Sequence, residues 1–163
     1  MSHTEHNKKL VEKYPFLKDG DDYRTTWLDD LEEGWRVEFG TKLCDELKEA
    51  IEKDGCEETF GFDQIKEKYG SLRLYAHGYN YKGNVDNVLC KYEELSKYIC
   101  GHCGNPATKI TRGWIYPVCD KCGSYITGEH SKIEDFYDFK SYGDVLREIE
   151  HIKNDYDKGE YWK

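Results

Sequence analysis

Phe62-Asp-Gln-Ile-Lys-Glu-Lys-Tyr69, Gly70-Ser71, Leu72-Arg-Leu-Tyr-Ala-His77 is the stretch that decides the fold. Two runs of alternating character flank a Gly-Ser pair, and a two-residue polar break between alternating runs is the mark of a tight antiparallel hairpin. With Gly70-Ser71 as the loop, Tyr69 faces Leu72, Glu67 faces Leu74 and Ile65 faces Ala76, which makes one side mainly apolar. The other side then carries Lys68 opposite Arg73, Lys66 opposite Tyr75 and Gln64 opposite His77. Two cations directly across a ribbon repel, so Lys68 and Arg73 ask for an anion over them. Either a glutamate from elsewhere in the chain or an anionic ligand meets that need.

Helical periodicity surrounds the hairpin. Upstream, Thr4 to Leu17 reads as a short helix with Leu10, Tyr14 and Leu17 on one stripe, interrupted in its second half by Pro15. Trp35, Phe39, Leu43, Leu47 and Ile51 recur every four residues, which predicts an amphipathic helix from about Gly34 to Lys53, stopped by Asp54-Gly55. Gly40 inside it predicts a bend or a close contact. Downstream, Asn84 is a suitable N-cap for a helix to about Tyr98, with Val85, Val88, Leu89, Tyr92, Leu95 and Ile99 buried. Tyr125 to Ser131 reads as a loop, and Ser141 to about Tyr156 as a last amphipathic helix. The expectation is one α+β domain over 1–163. A small antiparallel sheet centred on the hairpin is packed by helices, and 129–163 forms an acidic C-terminal helical segment.

Into this frame the chain inserts Cys100-x2-Cys103-x15-Cys119-x2-Cys122. Paired Cys-x2-Cys at that separation suits tetrahedral Zn²⁺. Each pair is followed by a glycine, Gly104 and Gly123, which lets the backbone curl and aim amides at the sulfurs. Between the pairs, Lys109 to Val118 predicts two short strands reversing at Arg112-Gly113, so that a zinc ribbon occupies about residues 98–124. Four thiolates fill the coordination shell, and the expected zinc is structural rather than catalytic. A redox motif would be a single pair beside a βαβ unit. A nucleobase deaminase would place proline directly before the second pair, whereas Val118 separates Pro117 from Cys119. Cys44, Cys56 and Cys90 stand at no framework spacing and read as small core residues of a reduced protein.

The order and spacing of several short motifs are similar to those of a family of small uncharacterised zinc-ribbon proteins of bacteriophages and prophages. They are Glu33-Gly34-Trp35, Leu43-Cys44, Gln64-Ile-Lys-Glu-Lys-Tyr-Gly-Ser-Leu-Arg-Leu-Tyr75, Cys-Gly-x-Cys-Gly-Asn-Pro, Gly113-Trp114 and Val118-Cys119-Asp. The likeness spans roughly residues 33 to 123. Ser71 stands where a second glycine is usual, and the acidic C-terminal helix lies outside it. The resemblance implies a phage or mobile-element origin and no particular reaction.

Function classes narrow from here. No Ser/His/Asp, Cys/His or paired-carboxylate arrangement is visible, no glycine-rich loop follows a P-loop or dinucleotide pattern, and no ββα core of an HNH nuclease surrounds His130. His77 and His102 read as surface residues. No apolar run approaches a membrane span and the start opens no signal-peptide core, so the expected location is the cytoplasm, a host's if the chain is phage-encoded. The formal net charge is −9. Two stretches run against it: residues 60–83 hold four bases and two acids, and 100–128 hold three bases and one acid. Side by side they would make a basic surface on an acidic protein.

These features predict a non-enzymatic binding protein. Lys66, Lys68, Arg73, Tyr75, Arg112 and Trp114 would form a contact surface for a host protein or a small anionic, nucleotide-like ligand, as inhibition of a host defence would require. The alternative is a nucleic-acid-binding zinc-ribbon regulator, which the overall charge disfavours for duplex. A weaker option is mimicry of DNA by the acidic helices.

Overall fold

A computed structural model describes residues 1–111, 115–126, 133–135 and 141–159. The fold class is α+β, as expected. Helix α1 (His3–Lys13) carries a capping box, in which Ser2 accepts from the Glu5 amide and Glu5 reaches back to the Ser2 backbone. A 3₁₀ turn at Pro15–Leu17 takes the place of the helix's predicted second half. Helix α2 (Glu33–Trp35), a π-helical turn (Arg36–Gly40) and helix α3 (Thr41–Asp54) follow one another without a break. The irregularity expected at Gly40 is thus a widened turn that ends there. Gly55, at φ +66°, closes α3 in the left-handed region.

Strands β1 (Gly61–Lys68) and β2 (Ser71–His77) form the two-stranded antiparallel hairpin. Its loop is Tyr69-Gly70 rather than Gly70-Ser71. Both residues lie at positive φ, +52° and +80°, as a type I′ turn demands of its two central positions. The register therefore differs by two residues from the expected one: Lys66 pairs with Arg73, Lys68 with Ser71 and Gln64 with Tyr75. Lys68 does not face Arg73. Because the slip is even, Gln64 to Lys68 and Leu72 to Tyr75 keep their predicted faces, while Tyr69, expected opposite Leu72 on the apolar side, moves into the turn and is exposed. A bulge between Phe62 and Gln64 then reverses the alternation, so Phe62 joins Ile65, Leu72 and Leu74 in the core while Asp63 points outward to His77.

A tyrosine in the left-handed region carries strain that asparagine largely avoids. Tyr69→Asn, which creates the preferred Asn-Gly turn, is expected to stabilise the protein by about 1 kcal/mol. A rise in the urea midpoint at unchanged slope would verify it, and a fall would show that the Tyr69 side chain contributes more than its backbone costs.

Helix α4 (Asn84–Ser96) lies along β2. It seals that strand's outer edge with side chains: the Leu72 amide donates to Ser96 Oγ and the Leu74 amide to the Glu93 carboxylate, both at 2.8 Å. The N-cap position of α4 is Gly83, not Asn84. Asp54, at the end of α3, supplies the acceptor instead, taking the Val85 amide at 2.9 Å and the Asn84 side chain at 2.7 Å. Helix α6 (Tyr142–Asp157), capped by Ser141, packs on α4 and closes the main core with Val145, Ile149, Ile152 and Tyr156. That core runs from Trp35 through α3, the hairpin's apolar face and α4. Cys44 and Cys56 are buried and Cys90 half-buried, in line with a packing role. No helix among the described residues is long and apolar enough to cross a membrane.

Candidate metal centre

The chain leaves α4 after Ser96 and enters the first cysteine pair through Ile99. Tyr98 and Ala107, and Ile99 and Pro106, pair across the knuckle. The Gly104 amide donates to the Cys100 carbonyl at 2.9 Å, and Gly104 itself sits at φ +83°. Strand β3 (Lys109–Thr111) then pairs antiparallel with β4 (Pro117–Val118), the two expected strands. Their reversal at Arg112-Gly113, and Trp114, lie outside the described residues. The second pair differs from the expected Gly-rich turn. It opens helix α5 (Asp120–Ile126), which occupies the start of the predicted loop. A third strand, β5 (Ile133–Asp135), adds to β3, giving the order β4-β3-β5. The ribbon sheet thus extends past residue 124, and the segment 129–163 is not purely helical.

This topology converges Cys100, Cys103, Cys119 and Cys122. Their sulfurs all lie within 4.8 Å of one another, and Cys103 and Cys119 are 3.6 Å apart. A metal–sulfur bond of about 2.3 Å in a tetrahedron implies sulfur–sulfur edges of about 3.8 Å, so the cluster is sized for one ion. The Cys122 amide points at Cys119 Sγ from 3.3 Å, the arrangement by which backbone dipoles support coordinated thiolates. Burial pushes the Cys100 and Cys122 thiols up. Cys103 is also burdened by burial, yet the Asn105 amide and the neighbouring thiols bring it below its ordinary value. A dication reverses the penalty of burial and deprotonates coordinating thiols outright. Among the described residues this is the one group of His, Cys, Asp or Glu side chains able to hold a metal ion.

The ribbon is fastened to the helical body by contacts that the spacing of cysteines does not reveal. The Gly34 amide donates to the Gly101 carbonyl at 2.7 Å. Gly34 has no room for a side chain: a Cβ there would overlap the Cys100 carbonyl and fall 2.6 Å from the Gly104 nitrogen. Next to it, Trp35 is fully buried and donates from its indole N–H to the Ile99 carbonyl at 2.9 Å. Its ring stacks on Tyr116, 6.5 Å between centroids and 16° between planes. Tyr116 crosses the knuckle over Gly101 and donates to Glu32 at 2.5 Å; burial together with this bond pushes its hydroxyl well up.

The hairpin's tip rests on the same ribbon. A Cβ at Gly70 would come 3.1 Å from Ile115 Cγ2, so the two base-rich stretches are neighbours in space. On the hairpin's outward face Lys66 and Arg73 are half-buried, Lys68 is exposed and Tyr75 is 43% exposed. The Lys66 ammonium lies 5.5 Å from the Tyr75 ring centre, and that of Lys68 5.7 Å from the ring of Tyr69, which is 70% exposed. None of Lys66, Lys68 and Arg73 forms an ion pair among the described residues. Arg73 does lie near Glu93, where it partly offsets the burial that pushes that carboxyl up. Arg112 and Trp114, the remaining members of the expected surface, are outside the described residues.

His77 Nδ1 donates to the Asp63 carboxylate at 2.8 Å on the exposed side of the bulge. His102 packs its ring on Tyr116 at 5.1 Å. Comparison of the chain with family models, with curated proteins and with solved structures finds no match.

Proposed function

We propose that the four-cysteine centre holds one structural Zn²⁺ and that the protein is a non-enzymatic binding protein whose contact surface is the outward face of the hairpin. Lys66, Lys68 and Arg73 would engage an anionic group, with Tyr75 and Tyr69 flanking it. The observation that carries this reading is the absence of any ion pair to those three cations among the described residues, in a chain with 33 acidic side chains against 24 basic ones. An acidic protein that holds Lys66 and Lys68 clear of ion pairs among the described residues, with only the half-buried Glu93 near Arg73, beside a strained, exposed tyrosine turn is set up to recruit negative charge from outside. A small nucleotide-like anion or an acidic patch of a host protein suits the face. Long duplex is opposed by the field of the remaining surface. The phage-family likeness supports the host-directed setting.

The test is native mass spectrometry of the protein purified from bacterial cells, read against its denatured mass and repeated with Lys66→Glu/Arg73→Glu. One zinc and a nucleotide-sized adduct that the double variant loses is the expected result. One zinc with no adduct removes the small-ligand form and leaves the host protein, sought by pull-down with the same variant as control. Arg73→Glu sets a second carboxylate near the half-buried Glu93, so a stability loss of about 1–2 kcal/mol without unfolding is expected. Unfolding instead would show that the cations serve the fold.

A further inference from the structure

Along the outward face of the hairpin, exposed rings alternate with cations. Tyr69 stands at the turn with the Lys68 ammonium 5.7 Å from its ring centre, and Tyr75 stands toward the open end with the Lys66 ammonium 5.5 Å from its ring centre. Between the two rings the register sets Lys66 directly across from Arg73. From the tip, the order is therefore ring, cation, paired cations, ring. Lys68, the Lys66 and Arg73 pair, and Tyr75 occupy three successive outward rungs, and such rungs repeat about every 6–7 Å along a strand.

The charges on this face leave an excess of cations. Lys66, Lys68 and Arg73 stand against one nearby carboxyl, that of Glu93, which is half-buried and accepts from the Leu74 amide at 2.8 Å. Glu67 belongs to the other face and accepts from the Gly70 amide at 2.7 Å, and Asp63, beyond the bulge, is engaged by His77. A ligand for the face must bring negative charge and flat apolar surface in alternation. A duplex keeps its bases stacked inside and offers phosphates alone, and an acidic peptide offers carboxylates alone. A single strand offers both, since any base can stack on an exposed ring while the backbone runs over cations. Drawn out until its bases unstack, it repeats at a length similar to the rungs, well beyond the about 3.4 Å of a stacked strand.

We propose that the outward face of the hairpin binds a short stretch of single-stranded nucleic acid, with one base stacked on Tyr69, another on Tyr75 and the intervening phosphates on Lys68, Lys66 and Arg73. The inference rests on the hairpin reading above and names the ligand class. Stacking is indifferent to base identity, so binding tolerates any sequence. The acidic remainder of the molecule confines the contact to these few phosphates.

The experiment is fluorescence anisotropy of the metal-loaded full chain with an end-labelled, mixed-sequence DNA strand of about twelve nucleotides, with the same strand annealed to its complement, and with poly-L-glutamate as unlabelled competitor. Saturable binding of the single strand is expected, with the duplex weaker. Tyr69→Asn, which the turn accommodates, and Tyr75→Ser should each weaken the strand about tenfold, the loss of one stacked base, while Tyr69→Phe keeps the parental affinity. The logarithm of affinity should fall against that of salt with a slope of about 2, three cations at about 0.7 each. Parental affinity in both the Tyr69→Asn and Tyr75→Ser proteins overturns the proposal, as does duplex bound as tightly as single strand. Competition by poly-L-glutamate as effective as that by unlabelled strand also overturns it and leaves the face to an acidic protein, so that the hairpin reading survives. No saturable binding of the strand overturns it too, and the native mass measurement then decides the hairpin reading by itself.

Discussion

Cys119→Ser is expected to release the metal and unfold the ribbon. Each sulfur supplies a quarter of a closed coordination shell, and apparent binding free energies of structural zinc reach about 10–16 kcal/mol, so losing one thiolate removes the largest stabilising contribution to this segment. The damage should travel. Tyr116, Gly101 and the Ile99 carbonyl form the seat of Trp35, so the indole signal of a buried, hydrogen-bonded tryptophan should be lost with the metal. Metal stoichiometry by native mass, together with the Trp35 indole resonance, measures both effects. Cys90→Ser, half-buried in α4 and away from the cluster, should leave one metal bound. A Cys119→Ser protein that keeps its metal and its Trp35 signal would rule out the four-thiolate centre.

Gly34→Ala should be nearly as severe, although it removes nothing. The added methyl would occupy the space of the Cys100 carbonyl and press on the Gly104 nitrogen, and these are backbone atoms that cannot swing aside. The conflict can be relieved by lifting the ribbon off the body, which breaks the 2.7 Å bond from the Gly34 amide to Gly101 and uncovers Trp35. Overpacking of this kind costs about 3 kcal/mol or more where nothing can relax. Chemical denaturation provides the number, and retention of the metal separates this lesion from that of Cys119→Ser. A loss under about 1 kcal/mol would mean that the knuckle and helix shift past one another freely.

How much of this was legible in the sequence depends on whether the signal was local. The cysteine pairs, their linking strands and the apolar stripes of α3, α4 and α6 could be read because spacing alone carries them. The hairpin was legible, as were its faces, but not its register: a Gly-Ser pair is the commoner loop, and only the backbone reveals that Tyr69 adopts the left-handed conformation beside Gly70. The bulge at Asp63 leaves no mark in an alternating pattern. Asp54 capping a helix some thirty residues later, β5 joining the ribbon and Gly34 cradling Cys100 are all non-local contacts, invisible to periodicity. Lys91 did leave a sign that went unused. It sits beside Tyr92 on the stripe that runs through Val88 and Leu95, and a lysine there must find acids such as Glu46 and Asp157.

The seat of Gly34 and Trp35 on the ribbon also sets an order of events during synthesis. A ribosome delivers the N-terminus first, so the helices from Glu33 to Asp54 emerge long before Ile99 and Gly101 exist to receive them. Until the chain has emerged through Ile99 and Tyr116, Trp35 has no acceptor for its N–H and no ring to stack upon. With the proposed ion in the four-cysteine centre, metal supply would act as a checkpoint on the whole chain. A cell short of that ion would then accumulate molecules whose early helices are made but unseated, open to chaperones and proteases.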